Sequence, residues 1–179
     1  MKKIWLGLVA IVLASSLSAY ELNGALGVKW TGFKLASKVG VSGGFNSVDL
    51  EIKPSDSLAQ FLKSAKVSID ATSLESNDKG RNENIVSTLF ANTKEIKATI
   101  SSVDESTKTL ILDVNMNGVS VPTKMSYVVD SGKIVANGSI DILDFDMKDP
   151  FLAFAKKCAS FHEGVSYSDV NIEFIISYK

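Results

Sequence analysis

From residue 28 onward, hydrophobic and polar residues alternate with period two along most of the chain, the spacing that sends successive side chains of a strand to opposite faces. One face collects Val28 and Trp30, then Val48, Leu50 and Ile52, then Val67, Ile69 and Ala71, then Ile96, Ala98 and Ile100. It continues through Leu110, Leu112, Val114 and Met116, through Met125, Tyr127 and Val129, through Ile134, Ala136, Ile140 and Ile142, and through Val170, Ile172, Phe174 and Ile176. Polar residues stand between them, for example Lys97, Thr99 and Ser101, or Asn171 and Glu173. Strands of this kind are wetted on one side only, which points to an antiparallel sheet with one face turned to a core.

Turn chemistry agrees with antiparallel neighbours. Asn117-Gly118 lies between two alternating runs and supplies the positive φ values of a two-residue hairpin. Asp130-Ser131-Gly132 and the polar stretch 104–108 make two further short connections, so the runs from Ile96 to Ile142 form a meander. With the earlier and later runs the count comes to about eight strands. Gly43-Gly44 predicts a bend or bulge where a strand turns a corner, and such curvature favours a barrel over a flat sheet. Helical segments are expected at 57–64, 83–90 and 150–161, the last capped by Asp149, with Pro150 in its first turn, Lys156 and Lys157 toward its negative end, and Gly164 beyond it.

The first residues do not share this pattern. Met1-Lys2-Lys3, the largely apolar run from Ile4 to Leu17 and then Ser18-Ala19 read as a cleavable secretory signal peptide over 1–19, leaving one domain over 20–179. The apolar run is shorter than the ~18 residues a membrane-spanning helix needs. Cleavage after Ala19 is preferred to cleavage after Ser18. The chain holds 19 basic residues, of which Lys2 and Lys3 leave with the leader; the remaining 17 against 20 acidic residues give a mature charge of about −3. That balance argues against nucleic acid. With Cys158 the single cysteine, stability must come from apolar burial and not from internal cross-links. A monomer, or a homodimer, is expected.

An eight-stranded closed sheet either fills its interior with its own side chains or leaves room for one small ligand. Small residues on the apolar face, namely Ala71, Ala98, Thr123, Ala136 and Gly138, suggest missing volume and hence a cavity, while a simple taper of the barrel would also account for them. Met116 and Met125 would give that cavity a pliable lining. An amphiphile with a tail of ~40 heavy atoms at ~0.3 kcal/mol per atom would gain about 12 kcal/mol in such a cavity, without any charged anchor. The expected wall is Val28, Trp30, Val67, Ile69, Ile96, Ala98, Ile100, Leu112, Val114, Met125, Tyr127, Ala136, Ile140, Ile172 and Phe174. Tyr127 could set its hydroxyl against a quinone or headgroup oxygen, or bond to backbone. Trp30, Phe33 and Phe45 either line the cavity or pack.

Several segments together resemble the YceI-like family: Val28-Lys29-Trp30 with Gly44-Phe45, Val67 to Leu74, Arg81, Asn117-Gly118-Val119, Gly132 to Ile140 leading into Asp144-Phe145-Asp146-Met147, and Ser168 to Ile172. The resemblance implies a mainly β, lipocalin-like antiparallel barrel with two or three short helices, exported to the periplasm and enclosing an isoprenoid quinone, another polyprenyl compound or a fatty-acid-like amphiphile. It implies no cofactor beyond that ligand, and transient membrane contact for ligand exchange. The chain departs from the family at Arg81-Asn82-Glu83-Asn84-Ile85, where an Arg-Asp pair followed shortly by His-Leu is frequent, so a headgroup contact through that histidine has no counterpart. The helix that follows keeps Ile85, Val86, Leu89 and Phe90 in i, i+4 pairs, the pattern of a lid over a barrel end or of a satellite core helix.

Chemistry-bearing pairs are few. Cys158 and His162, four apart, have the spacing of two metal ligands or of a nucleophile and its base, but zinc needs three or four protein ligands and no other Cys or His is present. Packing of Cys158 beside Phe154 and Phe161 is the simpler reading. Asp144 and Asp146 suit a solvated turn better than a glycosidase pair. A serine nucleophile would depend on the single histidine, and the Gly-rich stretch Gly40 to Gly44 lacks the context of a phosphate-binding loop. A non-enzymatic carrier is therefore expected, the alternatives being a lipid- or isoprenoid-modifying enzyme in the same barrel or a filled-core interaction protein.

Overall fold

A computed structural model describes residues 19–179, so the expected leader lies outside the described residues apart from Ala19. Ten antiparallel strands form one sheet: β1 (Gly27–Lys34), β2 (Val39–Phe45), β3 (Val48–Glu51), β4 (Lys66–Asp70), β5 (Leu74–Glu75), β6 (Glu95–Asp104), β7 (Thr109–Met116), β8 (Val119–Asp130), β9 (Lys133–Asp141) and β10 (Ser166–Ser177). Their order is β3-β4-β6-β7-β8-β9-β10-β1-β2-β5. Two of the long alternating runs are each broken in the middle: β2 passes into β3 through Asn46-Ser47, and β4 passes into β5 through a 3-10 turn at Ala71–Ser73. Pairing continues across both breaks, from Phe45 opposite Leu74, through Asn46 N–H to Ser73 O and Asp70 N–H to Ser47 O, to Val48 opposite Ile69. The two ends of the strand order are thus stitched together by the chain itself, and the sheet curls into a lipocalin-like barrel whose ten strands trace eight paths.

The β6–β9 meander follows the alternating pattern closely. Leu110, Leu112, Val114 and Met116 are all buried, while the residues between them remain partly exposed. Asn117 and Gly118 take φ values of 54° and 77°, and Ser131 and Gly132 values of 48° and 78°, as the two-residue hairpins require.

Gly43 and Gly44 do not make the corner, which falls at Asn46-Ser47. They admit Trp30 instead: a Cβ on Gly43 would collide with the Trp30 ring and the Glu75 carbonyl oxygen, and Trp30 Nε1–H donates to Gly44 O at 3.1 Å.

Three helices close the ends. α1 (Leu58–Lys63), capped by Ser57, drives Leu58, Phe61 and Leu62 into one end of the barrel. Tyr20 stacks on Phe61 there, with ring centroids 5.9 Å apart. α2 (Lys79–Thr88) and α3 (Lys148–Lys157) meet over the other end. α2 begins before the expected residue 83 because the Asp78 carboxylate accepts from Arg81 N–H. α3 starts before Asp149, which therefore sits in its first turn and does not cap it; Met147, fully buried, holds the N-cap position with no side-chain bond. Among the described residues no helix is long and apolar enough to cross a membrane.

Candidate functional site

A cavity of about 420 Å³ occupies the barrel beneath α2 and α3. The inward faces of the strands build its wall, since alternation delivers Val28 and Trp30 from β1, Ile69 from β4, Ile96 and Ala98 from β6, Val114 and Met116 from β7, Ile140 from β9 and Val170, Ile172 and Phe174 from β10. Its cover is Ile85, Leu89 and Phe90 on and after α2, and Met147, Phe151, Phe154 and Cys158 before, on and after α3. A single tie, Lys157 Nζ donating to Ser87 Oγ at 2.9 Å, joins the two covering helices through their side chains. The opposite half of the barrel is filled by Phe61, Leu62, Met125, Tyr127 and Ile134, and retains only a void of about 30 Å³.

The expected wall divides between these two regions. Val28, Trp30, Ile69, Ile96, Val114, Ile140 and Ile172 line the large cavity, and Ala98 and Phe174 touch both spaces. Val67, Ile100, Leu112, Met125 and Ala136 border only the small void. Tyr127 borders neither: its hydroxyl is buried without a hydrogen-bond partner among the described residues, beside the 104–108 turn, where burial and the carboxylates of Glu105 and Asp104 push its pKa up.

Of the five small residues singled out on the apolar face, Ala98 alone borders the large cavity. The space beside Gly138 is taken by Met125, whose Cγ would stand 2.9 Å from an added Cβ, and Ala71 and Thr123 are buried without bordering either void. The large void is instead framed by big side chains held apart by the barrel and roofed by helices. Of the residues not singled out as wall, Phe151, Phe154 and Cys158 are spaced three and four apart on α3 and its cap, an amphipathic signal legible in the chain. Phe33 and Phe45 line the cavity as well.

The polar side chains of the lining are Lys29, Lys34, Asp78, Arg81, Asn84, His162 and Tyr167, and Lys34 and Arg81, with Lys29, give the cavity mouth its cationic character. Arg81 pairs with Asp78 at 3.4 Å, and no ion pair to Lys34 forms among the described residues. Asn82 accepts from Ser76 N–H and Oγ–H at 3.0 and 2.6 Å and donates to Glu75 Oε1 at 3.1 Å. Asn82 thus ties the start of α2 to β5.

Burial pushes the Cys158 thiol up, with Lys157 and Lys34 opposing only in part, so the thiolate needed of a nucleophile is disfavoured. Burial first, then Lys34 and Arg81, pull His162 below the ordinary imidazole value. Its ring meets Phe154 edge-on, and Nδ1 lies 2.7 Å from Ser166 Oγ. Among the described residues no group of three or more His, Cys, Asp or Glu could hold a metal ion. Asp144 and Asp146 are both exposed in the turn before α3. What the arrangement offers is an apolar space with a cationic rim, suited to solvating hydrocarbon.

A model of the YceI-like domain matches residues 20–177. Similar folds include a polyisoprenoid binding domain from Saccharophagus degradans implicated in plant cell wall breakdown, at 18% identity and TM-score 0.59, covering 90% of this chain and 98% of that one. BcnA of Burkholderia cenocepacia is 16% identical with TM-score 0.56, covering 83% and 94%. The YceI protein of Campylobacter jejuni is 15% identical with TM-score 0.57, covering 79% and 86%. A search of curated protein sequences gives no match.

Proposed function

Because the chain belongs to the YceI-like family, whose domain spans residues 20–177, we propose that it is a non-enzymatic carrier that encloses the tail of a long-chain amphiphile within its barrel. The single observation that carries this reading is the 420 Å³ cavity, walled by apolar side chains and roofed by two helices. Its volume lies within the ~300–1,000 Å³ typical of small-molecule sites. The ligand class is a polyprenyl compound, an isoprenoid quinone or a fatty-acid-like lipid, in keeping with the polyisoprenoid named for the Saccharophagus domain. Binding follows from transfer of hydrocarbon out of water at ~25 cal/mol per Å², and no group need change its covalent bonds. The headgroup rests at the mouth near Lys34 and Arg81. The leader over 1–19 directs the protein to the periplasm, where lipids in transit need such shielding.

Organic extraction of the purified protein followed by mass spectrometry tests the reading directly: a co-purifying amphiphile supports it, and its absence together with no uptake of an added alkyl probe overturns it. Ala98→Trp is expected to abolish probe uptake, because Ala98 borders both spaces. Met125→Leu, in the filled half, is expected to leave uptake unchanged. Equal uptake by both variants would remove the cavity from the mechanism.

A further inference from the structure

Large apolar side chains on the surface are unevenly placed. Among the described residues five are exposed: Val39, Leu143, Leu152 and Phe161, at 43, 40, 53 and 65%, and Val128 at 60%. The first four share the cavity end. Val39 pairs with Lys34 at the mouth, Leu143 follows the cavity residue Ile142, Leu152 lies on the roof helix α3, and Phe161 lines the cavity while most of its surface faces solvent. Val128 stands toward the opposite end of β8, next to Tyr127 of the filled half. On α3 the outward stripe reads Lys148, Leu152, Lys156 at four-residue spacing, all three exposed, and its inward side is Phe151 and Phe154. Over 148–163 the lysines at 148, 156 and 157 stand against Asp149 and Glu163, while Asp144 and Asp146 lie beside Leu143 just before α3.

We propose that this face, centred on Leu152 and Phe161 and flanked by Lys148 and Lys156, docks on the surface of an anionic lipid bilayer and sets the cavity mouth against it. The inference rests on the carrier reading above, since a lipid ligand is found in bilayers and would otherwise have to cross water to the mouth. Leucine and phenylalanine would bury in the interfacial layer while the lysines reach the headgroups, the division of labour of membrane-surface helices. Phe161 is shared between cavity and bilayer, so one continuous apolar path leads from one to the other.

Flotation with vesicles of phosphatidylcholine and phosphatidylglycerol in equal parts, and with phosphatidylcholine alone, tests this. The protein is expected to float with the mixed vesicles and far less with the neutral ones. Leu152→Ser and Phe161→Ser should each weaken mixed-vesicle binding by about tenfold, and Leu152→Ser, at a residue outside the cavity lining, should leave uptake of an alkyl probe supplied in solution unchanged. Lys148→Gln with Lys156→Gln should erase the preference for anionic vesicles, and Val128→Ser should change nothing. No flotation by the parent protein, or a Val128→Ser loss as large as that of Phe161→Ser, would overturn docking by this face. So would a parent dimer that Phe161→Ser makes monomeric without affecting flotation, because the face would then belong to a second copy of the chain. Intact probe uptake with failed flotation removes only this inference; failed uptake by the parent removes the carrier reading beneath it.

Discussion

Single side chains set the limits of the cavity. Gly43 is required by the Trp30 ring lying over it, and Trp30 in turn lines the cavity. Gly43→Ala should therefore destabilise the protein by about 1–3 kcal/mol through overpacking, read as a lower urea midpoint at unchanged m-value. His162 offers a pH signature. Its pKa is lowered by burial, with Lys34 and Arg81 adding to the effect, so the unfolded chain takes up the proton before the folded one. Stability is then fully present above the ordinary imidazole value of 6.5 and falls as pH drops from there toward the lower folded value. Thermal melts between about pH 7 and 5 should show this decline, and His162→Asn should flatten it; an unchanged slope would place its origin elsewhere. Residue types alone suggested that Ala136, Gly138 and Thr123 left room for ligand. Only contacts reveal that Met125 occupies the space beside Gly138, because volume in a core belongs to the facing side chains jointly.

Secondary elements divide the barrel into a half that stabilises and a half that binds. α1 plugs the filled end with Phe61, fully buried beneath the Tyr20 ring. Phe61→Ala should cost about 3–5 kcal/mol of stability, measured by denaturant unfolding, yet leave probe affinity of the folded protein unchanged; a parallel loss of affinity would contradict the division. Strands β6 to β9 were legible in the chain because period-two alternation and Asn-Gly or Ser-Gly turns act over short range. The corner at Asn46-Ser47 was not, since it depends on β5 pairing with β2, a contact between residues far apart in sequence. Asp149 had a capping residue's chemistry, but the helix begins earlier because Met147 is drawn into the core beside the cavity. Burial of a large side chain outweighed a cap worth ~1 kcal/mol.

For the whole molecule, a ligand that binds only the folded state must stabilise it. At a free concentration ~100 times its Kd the gain is about 2.7 kcal/mol, which for a domain of this size raises Tm by roughly 5–10 °C. Melting delipidated protein with and without added prenol or fatty acid should show that rise, and its absence with every chain length tried would count against an enclosed ligand. The sequence by itself determined the antiparallel barrel, its meander, the inward face of the strands that alternate and the three helices, since these follow from periodicity and turn residues acting locally. It carried the family in the same way, through segments read in order. Tertiary structure alone decided that the interior is hollow in one half and filled in the other, which of fifteen alternating residues meet the larger space, and that α2 and α3 roof it. Alternation assigns a side chain to the inside of a closed sheet but carries no information about depth along the barrel axis, and depth separates a packed core from a binding cavity.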